Sequence, residues 1–261
     1  MFDNKCKIIS IINQKGGVGK TTTTINLGAA LSVYEKKILL IDLDPQSNLT
    51  TGMGINPSNK NDSTVYNFLT SNISINNVIK NTLIDNLDII SSEPNLSAFD
   101  SEASTLKNKE FFLKKKLDYV DDILNYDYIL IDCAPSLSLL TINALTVSDS
   151  ILIPLQCEFF ALEGIVNIIN IFNYIKSGLN SKLTIEGILL TMYDRRNKLC
   201  KEIVKDVRQN FGDLVYEQII PRNIKLSEAT SHGKPVMLYD SKCSGSISYI
   251  LLAQEILNKQ K

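Results

Sequence analysis

The chain has 261 residues, of which 44% are hydrophobic and 21% charged. At ~150 residues per domain, that length suits one or two domains, and the composition excludes a mostly disordered chain. Its 27 basic and 28 acidic residues give a net charge of −1, so nucleic-acid binding would need a local basic patch rather than bulk charge.

In chain order, short β-branched runs alternate with longer amphipathic ones. Strands are expected over residues 7–13, 37–43, 87–91, 128–133, 150–156, 185–192 and 215–220. Several are continuous apolar runs, such as Ile38-Leu39-Leu40-Ile41, the pattern of strands buried on both faces of a parallel sheet. Helices are expected over 21–34, 107–124, 162–177, 201–211 and 244–258. Within the second, Leu113, Leu117, Val120 and Leu124 recur at helical spacing. The alternation implies an α/β fold in three layers, a twisted, mostly parallel sheet with helices on both faces. Residues 50–85 are the least regular stretch and read as short helices and loops. Because the informative residues run from Lys15 to about Lys234, all of 1–261 is read as one domain.

No apolar run approaches the ~18 residues of a membrane span. The first residues, Met1-Phe2-Asp3-Asn4-Lys5, lead straight into a strand and lack the pattern of a secretory signal. Five scattered cysteines form no C-x-x-C pair, which fits reduced thiols in a cytosolic protein.

The first strand leads into Asn13-Gln14-Lys15-Gly16-Gly17-Val18-Gly19-Lys20-Thr21-Thr22, and a helix follows. Strand, glycine-rich loop and helix are the context of a phosphate-binding loop. Glycines let backbone N–H groups turn toward phosphate oxygens, and the helix N-terminus adds partial positive charge. Lys20 can then reach the β- and γ-phosphates of ATP, and the Thr21 hydroxyl can ligate Mg²⁺. Gln14 stands where the strict pattern has glycine, and Lys15 is added before Gly16. Together these are the deviant Walker A form, in the P-loop NTPase fold. Two apolar strands end in carboxylates, Ile41-Asp42-Leu43-Asp44-Pro45 and Ile129-Leu130-Ile131-Asp132. Ligands of open α/β sheets lie beyond such strand ends. Asp44 is placed to act on water or metal, and Asp132 to support Mg²⁺ through water, as a Walker B aspartate does.

These residues resemble the ParA/Soj-type partition ATPases, within the MinD/ParA class. The resemblance covers nearly the whole chain. It includes Asp44-Pro45-Gln46-Ser47-Asn48, Pro154-Leu155-Gln156-Cys157-Glu158 and Ala161-Leu162-Glu163-Gly164. Pro221-Arg222-Asn223-Ile224-Lys225-Leu226-Ser227-Glu228-Ala229 and Ser231-His232-Gly233-Lys234-Pro235 are similar to the chromosomal Soj branch in particular. Ala134 and Thr230 depart from the family's usual prolines. The loop's early start implies that the helix-turn-helix domain of long plasmid relatives is lacking.

The resemblance implies a cycle between ATP and ADP states with Mg²⁺. ATP would create a sandwich homodimer in which Lys15 crosses to the partner's phosphates and Gly16 sits in the tight interface. Asp44 would position the attacking water. Intrinsic turnover would be low, and a ParB-type centromere-binding partner would stimulate it. The protein would be cytoplasmic and nucleoid-associated, binding double-stranded DNA without sequence preference and binding no membrane.

Arg195, Arg196, Lys198 and Lys201 cluster in one segment, with Arg222 and Lys225 in another, and these hold three of the chain's four arginines. Such groups give salt-sensitive phosphate contacts. By resemblance, Arg196 and Lys225 match DNA-contact positions, while Pro221, Arg222 and Asn223 border the adenine.

Lys114-Lys115-Lys116 reads as the wet face of a helix, His232 as structural and Cys133 as a strand-end filler. The alternatives are a MinD-like membrane-associated ATPase, a metal-cluster relative and an ATP-switched scaffold. The first would need a basic amphipathic C-terminal helix, whereas residues 247–257 read as core-packed.

Overall fold

A computed structural model describes residues 6–56, 62–118 and 125–259. Seven strands form one sheet: β1 (Lys7–Ile11), β2 (Ile38–Leu43), β3 (Ile79–Asn81), β4 (Leu87–Ile90), β5 (Tyr128–Cys133), β6 (Ser150–Gln156) and β7 (Thr184–Thr191). Their order is β3-β4-β2-β5-β1-β6-β7. Every pairing is parallel except that of β3 with β4 at one edge. The helices are α1 (Lys20–Val33), α2 (Asn48–Gly52), α3 (Val65–Thr70), α4 (Phe99–Glu102), α5 (Phe112–Asp118), α6 (Leu139–Val147), α7 (Ala161–Gly178), α8 (Lys198–Phe211), α9 (Ile224–Ser231), α10 (Val236–Tyr239) and α11 (Ser244–Lys259).

The apolar runs fill two cores because successive strand side chains point to opposite faces. Leu39, Ile41, Ile129, Ile131, Ile151 and Ile153 face one core, which includes Leu113 of α5, Leu145 of α6 and Ile165 of α7. Ile38, Leu40, Tyr128, Leu130 and Leu152 face the other, with Leu27 of α1 and Leu252 and Ile256 of α11. Each fully buried aliphatic side chain contributes roughly 1.5–3 kcal/mol of hydrophobic free energy.

The segment 215–220 is not a strand, in contrast to its apolar pattern. It touches the sheet through isolated bridges, Val215 to Ile188 and Pro221 to Tyr193. Between them, the N–H groups of Glu217 and Gln218 donate to the Glu255 carboxylate of α11 at 2.9 and 3.0 Å. Tyr216 and Ile220 still donate their N–H groups to the Ile188 and Leu190 carbonyls of β7, so the side chain interrupts the ladder between them. The expected helix 107–124 is a 3₁₀ turn at Lys109–Phe111 followed by α5, and its end with Val120 and Leu124 lies outside the described residues. Met1–Lys5 also lies outside them.

Candidate functional site

The sheet brings together what the sequence holds apart. β1 lies beside β5, and β2 lies on the other side of β5, all parallel. The loop after β1 thus opens beside the C-terminal ends of β2 and β5, where Asp42 and Asp132 face each other in register.

The loop is anchored at both ends. Asn13 donates its Nδ2 to the Pro154 carbonyl at 2.7 Å, and its Oδ1 accepts the Lys15 N–H at 3.0 Å. Thr191, ending β7, donates its hydroxyl to the Val18 carbonyl at 2.8 Å. Gly17 and Gly19 take φ of +77° and +95°, a left-handed backbone that glycine adopts without a Cβ penalty. Gly19 is also the N-cap of α1, so the helix opens directly beneath the loop.

Lys20 is buried, and its Nζ donates to the Lys15 carbonyl at 3.1 Å. Burial lowers its pKa, while Asp132 and Asp44 act in the opposite direction. Thr21 donates its hydroxyl to Asp132 Oδ2 at 2.7 Å. Burial pushes Asp132 up to about 8, reinforced by the charge of Asp42, and the Thr21 hydrogen bond only partly offsets this. Asp42 is raised to about 6, again by burial first. Asp44 is buried as well, and its Oδ1 accepts the Gln46 N–H at 2.9 Å. Lys15 is instead exposed, and its ammonium pairs with Glu158 just beyond β6. Gly16 is exposed, and a Cβ built on it meets nothing within 4 Å. Val18 is buried beneath the loop.

Beside Gly19 and Thr22 lies a cavity of about 380 Å³, walled by Thr191, Met192, Pro221, Arg222 and Asn223 among others. Its far wall is a two-segment junction. The Tyr193 N–H donates to the Ile220 carbonyl at 3.1 Å, and the Arg222 N–H to the Tyr193 carbonyl at 3.0 Å. Sequence reasoning does not single out Asn13, Thr191 or Met192. Met192 adopts φ +52°, which nothing in its side chain announces.

The two basic segments emerge from that same junction. Arg195, Arg196, Lys198 and Lys201 are exposed around the start of α8, which Asn197 caps through the Leu199 N–H at 3.0 Å. Arg196 is bidentate to Asp194 at 3.0 and 2.9 Å, and this holds the Asp194 carboxyl down to about 2. Asn223 caps α9, and Lys225 pairs with Glu228 at 2.8 Å.

His232 stacks on Tyr239 with ring centroids 5.2 Å apart, and Cys133 is buried in the core. Among the described residues, no group of three or more His, Cys, Asp or Glu side chains could hold a metal ion by themselves. Among them, too, no helix is long and apolar enough to cross a membrane.

This strand order and glycine loop define a P-loop NTPase fold of the α/β class. A family model described as an AAA domain matches residues 6–185. The chromosome partitioning protein ParA of Caulobacter vibrioides is 44% identical over 261 residues, covering 100% of this chain and 97% of that protein. The sporulation initiation inhibitor protein Soj of Bacillus subtilis is 48% identical over 250 residues, covering 96% and 98%. Among solved structures, a cobyrinic acid a,c-diamide synthase from Mycobacterium smegmatis, with bound ATP analogue and magnesium, aligns with a TM-score of 0.86. It is 30% identical and covers 98% of this chain and 96% of its own. The chain belongs to the ParA/Soj family of chromosome-partitioning ATPases.

Proposed function

We propose that this chain is a single-domain, Mg²⁺-dependent partition ATPase that couples ATP binding to dimerisation and to sequence-independent DNA binding. The observation that carries the nucleotide reading is the 2.7 Å contact between the Thr21 hydroxyl and Asp132, with buried Lys20 beside it. That donor set fits a nucleoside triphosphate with a divalent cation. Loop N–H groups and an ammonium suit phosphate, while a hydroxyl and strand-end carboxylates suit the cation. When bound, Mg²⁺ would neutralise charge on the β- and γ-phosphate oxygens. Thr21 would hold the metal directly and Asp132 through water. Lys20, already desolvated, would meet the phosphates with little further loss of hydration. Asp44 would orient a water for attack.

The Gly19–Thr22 side of the 380 Å³ cavity adjoins the loop, which supports Pro221, Arg222 and Asn223 as the wall for the base. Lys15 would leave Glu158 to reach the phosphates of a second copy, supplying the transition-state charge that an arginine finger gives elsewhere. Hydrolysis would then require the dimer, which would make intrinsic turnover low and leave room for stimulation by a ParB-type partner. Arg195, Arg196, Lys198, Lys201 and Lys225 would contact DNA phosphates, and a dimer would double that patch. The protein would then act on the nucleoid.

The membrane-associated reading needs an apolar face on the last helix. In α11, Tyr249, Leu252, Ala253 and Ile256 are instead buried in the core, which weighs against that reading, while Ile247 and Leu251 are exposed, so the stretch 247–257 is only partly core-packed.

The test is binding to a nonspecific duplex across a salt series with ATP, with ADP and without nucleotide. ATP-dependent affinity that falls steeply with salt is expected. ATP binding with no DNA binding, joined to capture by liposomes, would overturn the DNA assignment. In parallel, Asp44→Ala should bind ATP, accumulate as a dimer and hydrolyse poorly. Wild-type turnover by that variant would remove Asp44 from the mechanism.

A further inference from the structure

Asp42 is the buried acid for which the proposed mechanism has no use. It is fully buried at the end of β2, two residues before Asp44. Its carboxylate nevertheless accepts three hydrogen bonds. The Asp44 N–H donates to Oδ1 at 3.1 Å, and the Thr50 N–H and hydroxyl donate to Oδ2 at 2.8 and 2.7 Å. The Thr50 hydroxyl in turn accepts the Ser92 N–H at 2.8 Å. Ser92 then donates its own hydroxyl to the Asp44 carbonyl at 2.8 Å. The chain of hydrogen bonds closes on itself: Asp44, Asp42, Thr50, Ser92 and back to Asp44.

Thr50 and Ser92 are fully buried, and they come from α2 and from the segment after β4. Asp42 and Ser92 thus hold Asp44 by its backbone N–H and its carbonyl, and Thr50 ties those two together. Buried polar rings of this kind are rigid when every member is satisfied, and each break leaves a donor or acceptor unpaired. None of the three partners lies in the phosphate loop.

We propose that Thr50 is a positioning residue for Asp44, acting through Asp42 and Ser92, and that this hydrogen-bonded ring fixes where the Asp44 carboxylate stands. The inference rests on the reading of Asp44 as the group that orients water. The Thr50 hydroxyl both donates and accepts within the ring, so valine, which matches its shape, removes two hydrogen bonds at once. Serine retains both.

The experiment compares wild type with Thr50→Val, Thr50→Ser, Ser92→Ala and Asp44→Ala. It reads kcat, KM for ATP, direct binding of a non-hydrolysable ATP analogue and the lifetime of the ATP-bound dimer. A displacement of about 1 Å at a reacting centre can cost ~100-fold in rate. Thr50→Val is therefore expected to lower kcat by roughly 10- to 100-fold while analogue affinity and KM stay within about twofold. Its ATP-bound dimer should outlast that of wild type. Thr50→Ser should restore the wild-type rate, and Ser92→Ala, which loses only the hydrogen bond to the Asp44 carbonyl, should fall between.

Should Thr50→Val fail to fold by circular dichroism, Ser92→Ala and Thr50→Ser carry the same comparison. An inactive Asp44→Ala beside a Thr50→Val or Ser92→Ala of wild-type kcat overturns this inference alone. Equal losses of kcat and analogue affinity in Thr50→Val, unrescued by serine, overturn it too, since they mark a general structural role. Wild-type turnover in Asp44→Ala removes both the role of Asp44 and the inference built on it.

Discussion

Replacing Asp132 with asparagine should stabilise the nucleotide-free protein and flatten its dependence on pH. Asp132 is fully buried, faces Asp42 across adjacent strands, and is pushed up to about 8. In the unfolded chain an aspartate titrates near ~3.9. Between those values the native state holds a proton that the unfolded state has released, so native stability falls as pH rises. The limiting slope is about 1.4 kcal/mol per pH unit for one group. Between about pH 6 and pH 8, allowing for partial ionisation near the upper end, the loss is about 2 kcal/mol. Asp42, raised only to about 6, contributes mainly below that window. Asparagine keeps an acceptor for the Thr21 hydroxyl and removes the titration. Urea unfolding of both proteins at pH 6, 7 and 8 without nucleotide or Mg²⁺ is the assay. Wild type should lose stability across the series relative to Asp132→Asn. Parallel pH profiles for the two proteins would refute the reasoning.

Gly16→Val should leave the monomer intact, with a stability change within about 0.5 kcal/mol, because a Cβ there meets nothing within 4 Å. ATP binding should persist while light scattering shows no ATP-dependent dimer, and an unchanged dimer would sink the proposed interface. Arg196→Ala should bind ATP normally but bind duplex DNA more weakly, its log–log salt slope shallower by about 1 for each phosphate that is no longer neutralised. An unchanged slope would take Arg196 out of the DNA face. Gly187→Ala drives a methyl to 2.5 Å from the Tyr216 ring and should cost about 1–3 kcal/mol, measured from the denaturant midpoint. A midpoint equal to wild type would mean that the ring moves aside freely.

The strands most legible in the sequence are those whose burial is simplest. The ranges 128–133 and 150–156 match β5 and β6 because both faces of these strands are packed, so the apolar run and the strand coincide. Helix α6 leaves no such trace, for the opposite reason. Leu140, Thr141, Asn143, Ala144, Leu145 and Thr146 are all buried, leaving no wet face to mark a helical period. The edge strand β3 is three residues long and only partly buried, too short to show alternation. In the site, residues 15–22 carry their own signal, since chemistry needs glycines, lysine and threonine at fixed spacing. The ring around Asp44 has none. Thr50 and Ser92 are small polar residues of ordinary kind, 42 apart in the chain, and only the parallel pairing of β2 with β4 brings them within reach.

That pairing and the neighbouring one of β2 with β5 also explain why the site is costly to the fold. Parallel strands in register set Asp42 against Asp132, both fully buried. The charge of Asp42 adds to the desolvation of Asp132, and Lys20, itself disfavoured by burial, offsets only part of it. A core of the same shape built from apolar side chains would be more stable at neutral pH. What such a core could not do is gain free energy when positive charge arrives. A ligand that binds only the native state adds its own binding energy to stability, and a cation would also relieve the acid pair. Whatever part of the acid pair's cost a cation relieves would return as affinity for that cation, so substitutions that relax the pair should weaken cation binding.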